Sequence, residues 1–281
     1  MTPLEEQTVL VTGATDGLGR ALAEAIARHG ARLLLHGRSP QRLEETQAQI
    51  RDRTGNTRLE PYVADFAALE DVHRLAEQLA RERDRLDVLV NNAGIGSNLP
   101  GDGARMESRD GYELRFAVNY LAHFLLTRSL VPLIVASAPA RIVNVSSAGQ
   151  APIDFDDVML ERHYTGIQAY CQSKLAQIMF TFDLAEELGG DGVTVNALHP
   201  STYMPTKIVL ASGARPASTV EEGVAATRRL VVDPALDSVT GRYFNRDREA
   251  RADPQAYDLA ARRQLRDLSE GLVQPVVTRG R

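Results

Sequence analysis

The stretch Thr8-Val9-Leu10-Val11-Thr12-Gly13-Ala14-Thr15-Asp16-Gly17-Leu18-Gly19 runs from a short apolar, β-prone segment into three closely spaced glycines. Helical spacing follows over Leu18–His29 and stops at Gly30, a good C-terminal cap. The opening residues are expected to form a buried strand, and the glycines a strand-to-helix turn. Glycine lets the backbone turn tightly and approach a ligand closely, and the helix N-terminus offers unpaired N–H groups to a diphosphate. The spacing G-x-x-x-G-x-G differs from the G-x-G-x-x-G fingerprint of dinucleotide folds. By itself the loop therefore points to a nucleotide, with a ligand-free tight turn as the other reading.

Outward from this turn the alternation repeats. Strands are expected at Arg32–His36, Arg58–Val63, Leu86–Val90, Arg141–Val145, Val193–Leu198 and Gly241–Phe244. Between them, helices are expected from Pro40, behind an N-cap at Ser39, to Arg53, and at Ala67–Arg83, Ser108–Ala117, Tyr120–Ser137, Ile167–Leu188 and Thr219–Val232. The last carries a capping-box pair, Thr219 and Glu222. Continuous apolar strands alternating with helices mean a parallel sheet covered on both faces. The expected fold is α/β, a Rossmann-type doubly wound parallel sheet of about seven strands with helices on both faces. No Pro/Gly/Ser-rich linker interrupts the chain, so residues 1–281 read as a single domain. Residues 6–245 would be its nucleotide-binding and catalytic core and 246–281 a C-terminal extension, with Arg246–Asp267 a solvated helix and loop. Such sheets bind ligands beyond the carboxyl ends of their strands. That directs attention to Thr12–Gly19, Gly37–Ser39, Asp65, Asn91–Gly94, Ser146–Ser147 and His199–Thr206.

The composition narrows the function. At 43% hydrophobic and 25% charged, with a net charge of −5, usage is that of an ordinary globular protein. No basic stripe suits nucleic acid as a partner. A single cysteine, Cys171, excludes an internal disulfide framework and fits a reducing compartment. Met1–Gln7 has no apolar signal core and no run of 18 apolar residues occurs, so a cytoplasmic protein without a membrane span is expected. The six histidines are scattered, which argues against a metal centre. Of 32 basic residues only Lys174 and Lys207 are lysine.

That scarcity singles out Lys174, four residues after Tyr170 and so on the same helix face. A phenol titrates near pH ~10 and is a poor acid–base catalyst at neutrality. A nearby ammonium favours the phenolate and is expected to lower that value. Lysine's compact head can also bond ribose hydroxyls where arginine's planar fork would not fit. Ser147, directly after the fifth expected strand, can hydrogen-bond a carbonyl or alcohol oxygen. After the second strand the chain reads His36-Gly37-Arg38, with no acid to meet a ribose 2′-hydroxyl. Arg38 instead offers a fork suited to a 2′-phosphate, which favours NADP(H) over NAD(H). Asp16 in the glycine loop would oppose that phosphate. Lys207 reads either as a surface residue or as one near the cofactor entrance.

Taken together, T-G-A-T-D-G-L-G at 12–19, Asp65, N-N-A-G at 91–94, Asn119, I-V-N-V-S-S at 142–147, Y-C-Q-S-K at 170–174 and H-P at 199–200 resemble the short-chain dehydrogenase/reductase family. F-L-L-T, Y-C-Q-S-K-L-A and G-R-Y-F are most similar to its retinol-dehydrogenase-like and protochlorophyllide-reductase-like branch. The resemblance implies Tyr170 as general acid/base, Lys174 as its electrostatic partner and ribose ligand, Ser147 as orienter of the substrate oxygen with Ser146 as the alternative, and Asn119 as holder of a relay water. It implies cofactor contacts from Gly13, Thr15, Asp16, Gly17, Leu18, Gly19, Arg38, Asp65 at the adenine, Asn91 at the adenosine ribose, Ala93, Gly94, Pro200 and Thr206. It also implies a homodimer or homotetramer. The expected activity is interconversion of an alcohol and a ketone or aldehyde, with a preference for a lipophilic or aromatic substrate. The same residues would also serve reduction of an activated C=C bond, and a non-catalytic NADP(H) sensor is the reading from another class. Two departures stand out. Pro200-Ser201 replaces the family's usual Pro-Gly, and the segment between Ser147 and Tyr170 is longer than usual. The added residues, 148–166, are expected to form a loop over the substrate cleft or a surface insertion.

Overall fold

The computed structural model describes residues 2–98 and 103–279. Eight strands form one sheet: β1 (Thr8–Val11), β2 (Arg32–Gly37), β3 (Leu59–Val63), β4 (Val88–Asn91), β5 (Ala140–Val145), β6 (Val193–His199), β7 (Arg242–Asn245) and β8 (Arg248–Glu249). Their spatial order is β3-β2-β1-β4-β5-β6-β7-β8, and the first seven are parallel. β8 corrects the expected count. It folds back antiparallel on β7 through a tight turn with Arg246 at φ 60°, and two exposed charged residues carry no strand periodicity.

Successive residues of a strand point to opposite faces. Here both sets are apolar, which is why the sheet is doubly covered. Leu10, Leu34, Leu89 and Ile142 enter one core, with α3 (Leu69–Glu82), α5 (Ala122–Ala136) and α6 (Gly166–Glu187). Val9, Val11, Leu33, Leu35 and Val143 enter the other, with α1 (Gly17–Ala27), α2 (Pro40–Thr54) and α8 (Val220–Val232). The anticipated caps are present. Ser39 Oγ accepts from Arg42 N, and the Thr219–Glu222 capping box is complete.

Two expectations are corrected. Ser108–Tyr112 is a turn rather than helix, organised by Ser108 Oγ accepting from the Asp110 and Tyr112 amides, with Gly111 at φ 82°. Helix begins only at α4 (Leu114–Phe116), which continues through a π-helical turn, Ala117–Leu121, into α5. Secondly, the C-terminal extension is not solvated. α9 (Leu259–Arg279) buries Ala261, Leu265, Ser269, Val273 and Val276 against the first core. Ser269 Oγ and Tyr120 OH share a hydrogen bond at 2.8 Å, and Arg266 pairs with Asp183 at 3.0 Å. Among the described residues, Leu114–Ala136 is the one helical run long and apolar enough to cross a membrane, and 61% of its most apolar window is buried inside the domain.

Candidate active site

The phosphate loop is fitted so closely that side chains are excluded. Gly13 lies at φ 67°, and a Cβ there would sit 2.8 Å from Ala93 Cα. A Cβ on Gly19 would overlap the Gly13 carbonyl oxygen. Thr12 bolts this loop to the end of β4, its Oγ1 accepting from the Asn92 and Ala93 amides at 2.8 and 2.9 Å. Asn92 returns the contact through Nδ2, which donates to Thr12 O at 2.8 Å. His36 supports the loop from β2. Its Nδ1 accepts from Gly13 N at 3.2 Å and its ring stacks on Phe66. Burial lowers its pKa to about 4 and keeps it neutral.

Asp16 caps α1, accepting from Gly17 N at 2.8 Å. It does not stand alone in the loop. Arg42 Nη2 lies 3.0 Å and Lys207 Nζ 2.8 Å from its Oδ2. Burial alone would raise its pKa, but the bonds from Lys207 and Arg42 outweigh this and lower it. The carboxylate is thus offset by two cations, and Lys207 lies over the phosphate loop. Arg38 is exposed after β2 and makes no hydrogen bond or ion pair with the described residues. Asp65 follows β3, accepts from Ala67 N at 3.1 Å and pairs with Arg109 at 3.4 Å. The Asn91 side chain departs from its expected role. It is fully buried and donates to Thr127 Oγ1 and Asn144 Oδ1, so only its main chain is available at the cleft.

The catalytic candidates converge where β5 ends against α6. Ser146 is committed, its Oγ donating to Lys174 O at 2.7 Å. Ser147 is the hydroxyl that faces Tyr170. It accepts from Gly149 N at 3.0 Å and hydrogen-bonds the phenol. Gly149 leaves room there, since a Cβ on it would lie 3.5 Å from Ser147 Oγ and 3.9 Å from the Tyr170 ring. Burial pushes the Tyr170 phenol upward, partly offset by Ser147. This reverses the sequence expectation of a lowered value. The Lys174 ammonium lies 5.8 Å from the Tyr170 ring centroid but donates to Val145 O and Gln177 Oε1 at 3.0 and 2.9 Å. Burial itself brings Lys174 down to about 7. Asn119 sits in the π-helical turn, a feature common at functional sites. Its side chain clasps Ile95, with Oδ1 accepting from the amide and Nδ2 donating to the carbonyl, and also donates to Ser173 Oγ. Its carbonyl accepts from His123 Nδ1 at 2.9 Å.

Across the cleft, the segment after β6 begins at Pro200 and brings Thr206 over the loop. A Cβ on Gly17 would meet Thr206 Cγ2 at 3.1 Å. Residues 148–166 form a fastened wall rather than a free strap. Ile153, Val158 and Leu160 are buried, and Gln172 of α6 donates to Val158 O at 2.8 Å. At the far end Tyr164 OH donates to Glu113 Oε1 at 3.0 Å and lies 2.5 Å from Arg115 Nη1. Arg115 and Glu113 are 0% and 1% exposed and 3.5 Å apart. Arg115 also donates to the carbonyls of Gly96 and Ser97 at 2.9 and 2.8 Å, which anchors the loop after β4. Sequence reasoning gave no role to His36, Arg115, His123 and Gln177. Each is a polar residue inside an apolar element, the pattern that could have marked them.

A model of the short chain dehydrogenase family matches residues 7–215. Retinol dehydrogenase 14 of Homo sapiens is 38% identical over 294 aligned positions, covering 95% of this chain and 86% of that protein. Retinol dehydrogenase 13 of Mus musculus is 35% identical over 292 positions, covering 98% and 86%. Among solved structures, an uncharacterised protein from Mycobacterium paratuberculosis superposes with a TM-score of 0.78 at 27% identity, covering 96% of this chain and 94% of its own. A structure from Escherichia coli CFT073, described as a short chain dehydrogenase complexed with NADPH, gives 0.69 at 28% identity, covering 86% and 97%.

Proposed function

The chain belongs to the short-chain dehydrogenase family and to its retinol-dehydrogenase-like branch, and from that membership we propose that it is an NADP(H)-dependent oxidoreductase interconverting a lipophilic alcohol and its ketone or aldehyde. One observation carries the reading. With Ser146 tied to α6, Ser147 is the hydroxyl left beside Tyr170, and Lys174 lies on the same helix.

The residues present fit the nucleotide. The glycine turn lies at the N-terminus of α1 with no room for side chains at 13 and 19, and among the described residues Arg38 has no partner competing for a 2′-phosphate. Asp16, already paired with Arg42 and Lys207, no longer opposes that phosphate. The turn of Gly13, Thr15, Asp16, Gly17, Leu18 and Gly19 would hold the diphosphate and Asp65 the adenine. The main chain of Asn91, Ala93 and Gly94 would meet the ribose side, and Tyr170, Lys174, Pro200 and Thr206 the nicotinamide side. The NADPH in the Escherichia coli neighbour supports the same choice. When bound, the reduced nicotinamide supplies a hydride to the carbonyl carbon.

The chain's own residues manage the oxygen. Ser147 holds it by a hydrogen bond. Tyr170, kept protonated at neutral pH by burial, donates its phenolic proton as negative charge develops there. Lys174 stabilises the phenolate that remains. A protonated resting tyrosine suits the reductive direction. The test is a panel of lipophilic aldehydes and ketones assayed by NADPH absorbance, with NADH in parallel. Tyr170→Phe should lower turnover by about 10²–10⁴-fold, the usual worth of a positioned acid, while NADPH binding persists. Retained turnover in that variant would overturn the assignment.

A further inference from the structure

Lys174 is buried without an acid. Its ammonium donates to one main-chain carbonyl and to Gln177 Oε1, and among the described residues it forms no ion pair. Gln177 lies one turn further along α6 and is itself buried. Since an ammonium only donates, the amide oxygen faces Lys174 and the amide nitrogen faces away. That nitrogen lies 3.3 Å from Nδ1 of His123, a buried residue of α5. The same Nδ1 is 2.9 Å from Asn119 O, and a carbonyl only accepts, so Nδ1 carries the ring proton and does not accept from Gln177. The bare Nε2 then faces Thr12 Oγ1 at 3.3 Å. Thr12 in turn receives the amides of Asn92 and Ala93.

We propose that Gln177 is a positioning residue whose buried amide oxygen holds the Lys174 ammonium in place beside Tyr170. Its consequence for turnover rests on the oxidoreductase reading above. Burying an amide is costly unless it is bonded, and an apolar side chain would fill the same space without that cost. What Gln177 supplies is an acceptor for an ammonium that has no carboxylate among the described residues. The groups facing Lys174 are few. Tyr170 lies on its own helix, His123 comes from α5 and the Val145 carbonyl from β5. A Cβ on Gly94 would lie 3.7 Å from Nζ and 3.1 Å from Asn119 Oδ1, which places the Asn119 amide on the remaining side. Burial holds His123 neutral, with its pKa lowered to about 3, so it places no second positive charge beside Lys174 at working pH.

Having only two lysines makes the test direct. The full-length protein labelled with [ε-¹³C]lysine gives two side-chain signals, and Lys207→Arg assigns them. Gln177→Leu removes the acceptor and should lower the Lys174 titration midpoint by about one pH unit, a tenfold change in acidity. Gln177→Glu, of the same shape, should raise it. Opposite shifts from Leu and Glu are not what a merely structural role produces. If Gln177→Leu does not fold, the isosteric Glu variant decides alone. The pH limb of kcat should follow the midpoint in each variant. Unmoved midpoints in an active enzyme would overturn the role of Gln177 and leave the oxidoreductase reading standing. Midpoints that move as stated in a protein without nicotinamide-dependent turnover would support that role and overturn the oxidoreductase reading.

Discussion

The phosphate loop and the wall facing it meet at the same sheet edge but are held by different forces. Thr12–Gly19 is fixed mainly by close backbone approach and neutral partners, with Gly13 against Ala93, Thr12 receiving two amides and a neutral His36 beneath, while its one charged side chain, the exposed Asp16, pairs with Arg42 and Lys207. The opposite wall is fixed by a fully buried ion pair, Arg115–Glu113, joined by Tyr164 and fastened to the carbonyls of Gly96 and Ser97. The glycines themselves lie within a dozen consecutive residues, although Ala93 and His36 come from further along the chain, and their geometry is insensitive to pH. A buried charge network assembles distant segments and depends on every member, because a lone buried ion has no solvent to replace its partner. The difference teaches that the cofactor side is built for a fixed ligand, while the substrate side takes its shape from long-range charge.

Lys174 sits where the two sides join, and it offers the largest expected effect. Its folded pKa is depressed to about 7 from 10.5. Below pH 7 both folded and unfolded states carry the proton, and burial of the charge destabilises the fold in full. Between pH 7 and 10.5 the unfolded chain binds more protons than the folded one, so stability on this account rises with pH. At about 1.4 kcal/mol per unit, the gain across that window is on the order of 5 kcal/mol. In Lys174→Met that slope should vanish, whatever constant offset the lost hydrogen bonds impose. Parallel unfolding profiles of the two proteins over this pH range, measured without cofactor, would refute it.

Next comes the wall. Arg115→Met removes one partner and strands Glu113, which should cost about 3–5 kcal/mol in denaturant unfolding. Adding Glu113→Gln should recover part of that loss, because the two residues are in contact and their effects are not additive. A loss no larger than that of an exposed arginine would mean that the wall is held by packing, and the contrast with the phosphate loop would fail. On the cofactor side the expected effect is smaller and confined to affinity. Arg38→Ala should weaken NADPH by about 10–100-fold, the worth of charge-assisted hydrogen bonds at about 1.5–3 kcal/mol. NADH binding and the thermal midpoint should hardly change. An equal loss for both nucleotides would remove Arg38 from 2′-phosphate recognition.

How much of this was legible beforehand follows from the same contrast. Seven parallel strands were readable because the central ones are mostly apolar runs and helical segments separate them, and α2 and α8 because their caps are local pairs. Tyr170, Lys174 and Ser147 were readable as residue types in a spacing that fits a helix face and a strand end. α9 was obscured because its buried register, Ala261, Leu265, Ser269 and Val273, is interleaved with charged residues that read as a solvated surface. The Arg115–Glu113–Tyr164 unit was out of reach, since Tyr164 lies 49 and 51 positions from its partners. The sign of the Tyr170 shift was also missed. Spacing places an ammonium near the phenol, but burial and the partners of that ammonium set the shift.

The smallest expected effect concerns the second lysine, which joins the two sides across the mouth of the cleft. Lys207 Nζ meets Asp16 at 2.8 Å, yet the side chains are 69% and 44% exposed. An exposed pair of this kind is worth at most about 1 kcal/mol. Arg42 pairs with the same carboxylate from the other side and remains when Lys207 is removed. Lys207→Ala should therefore change NADPH affinity by no more than about fivefold at physiological salt, and the change should shrink further as salt shortens the ~8 Å screening length. A large, salt-independent loss would show that Lys207 is desolvated in the working enzyme, with 206–211 closing over the loop more tightly than this structure does. That outcome would bring charge into the cofactor side as well, and the division between backbone-held and charge-held walls would have to be redrawn at Asp16.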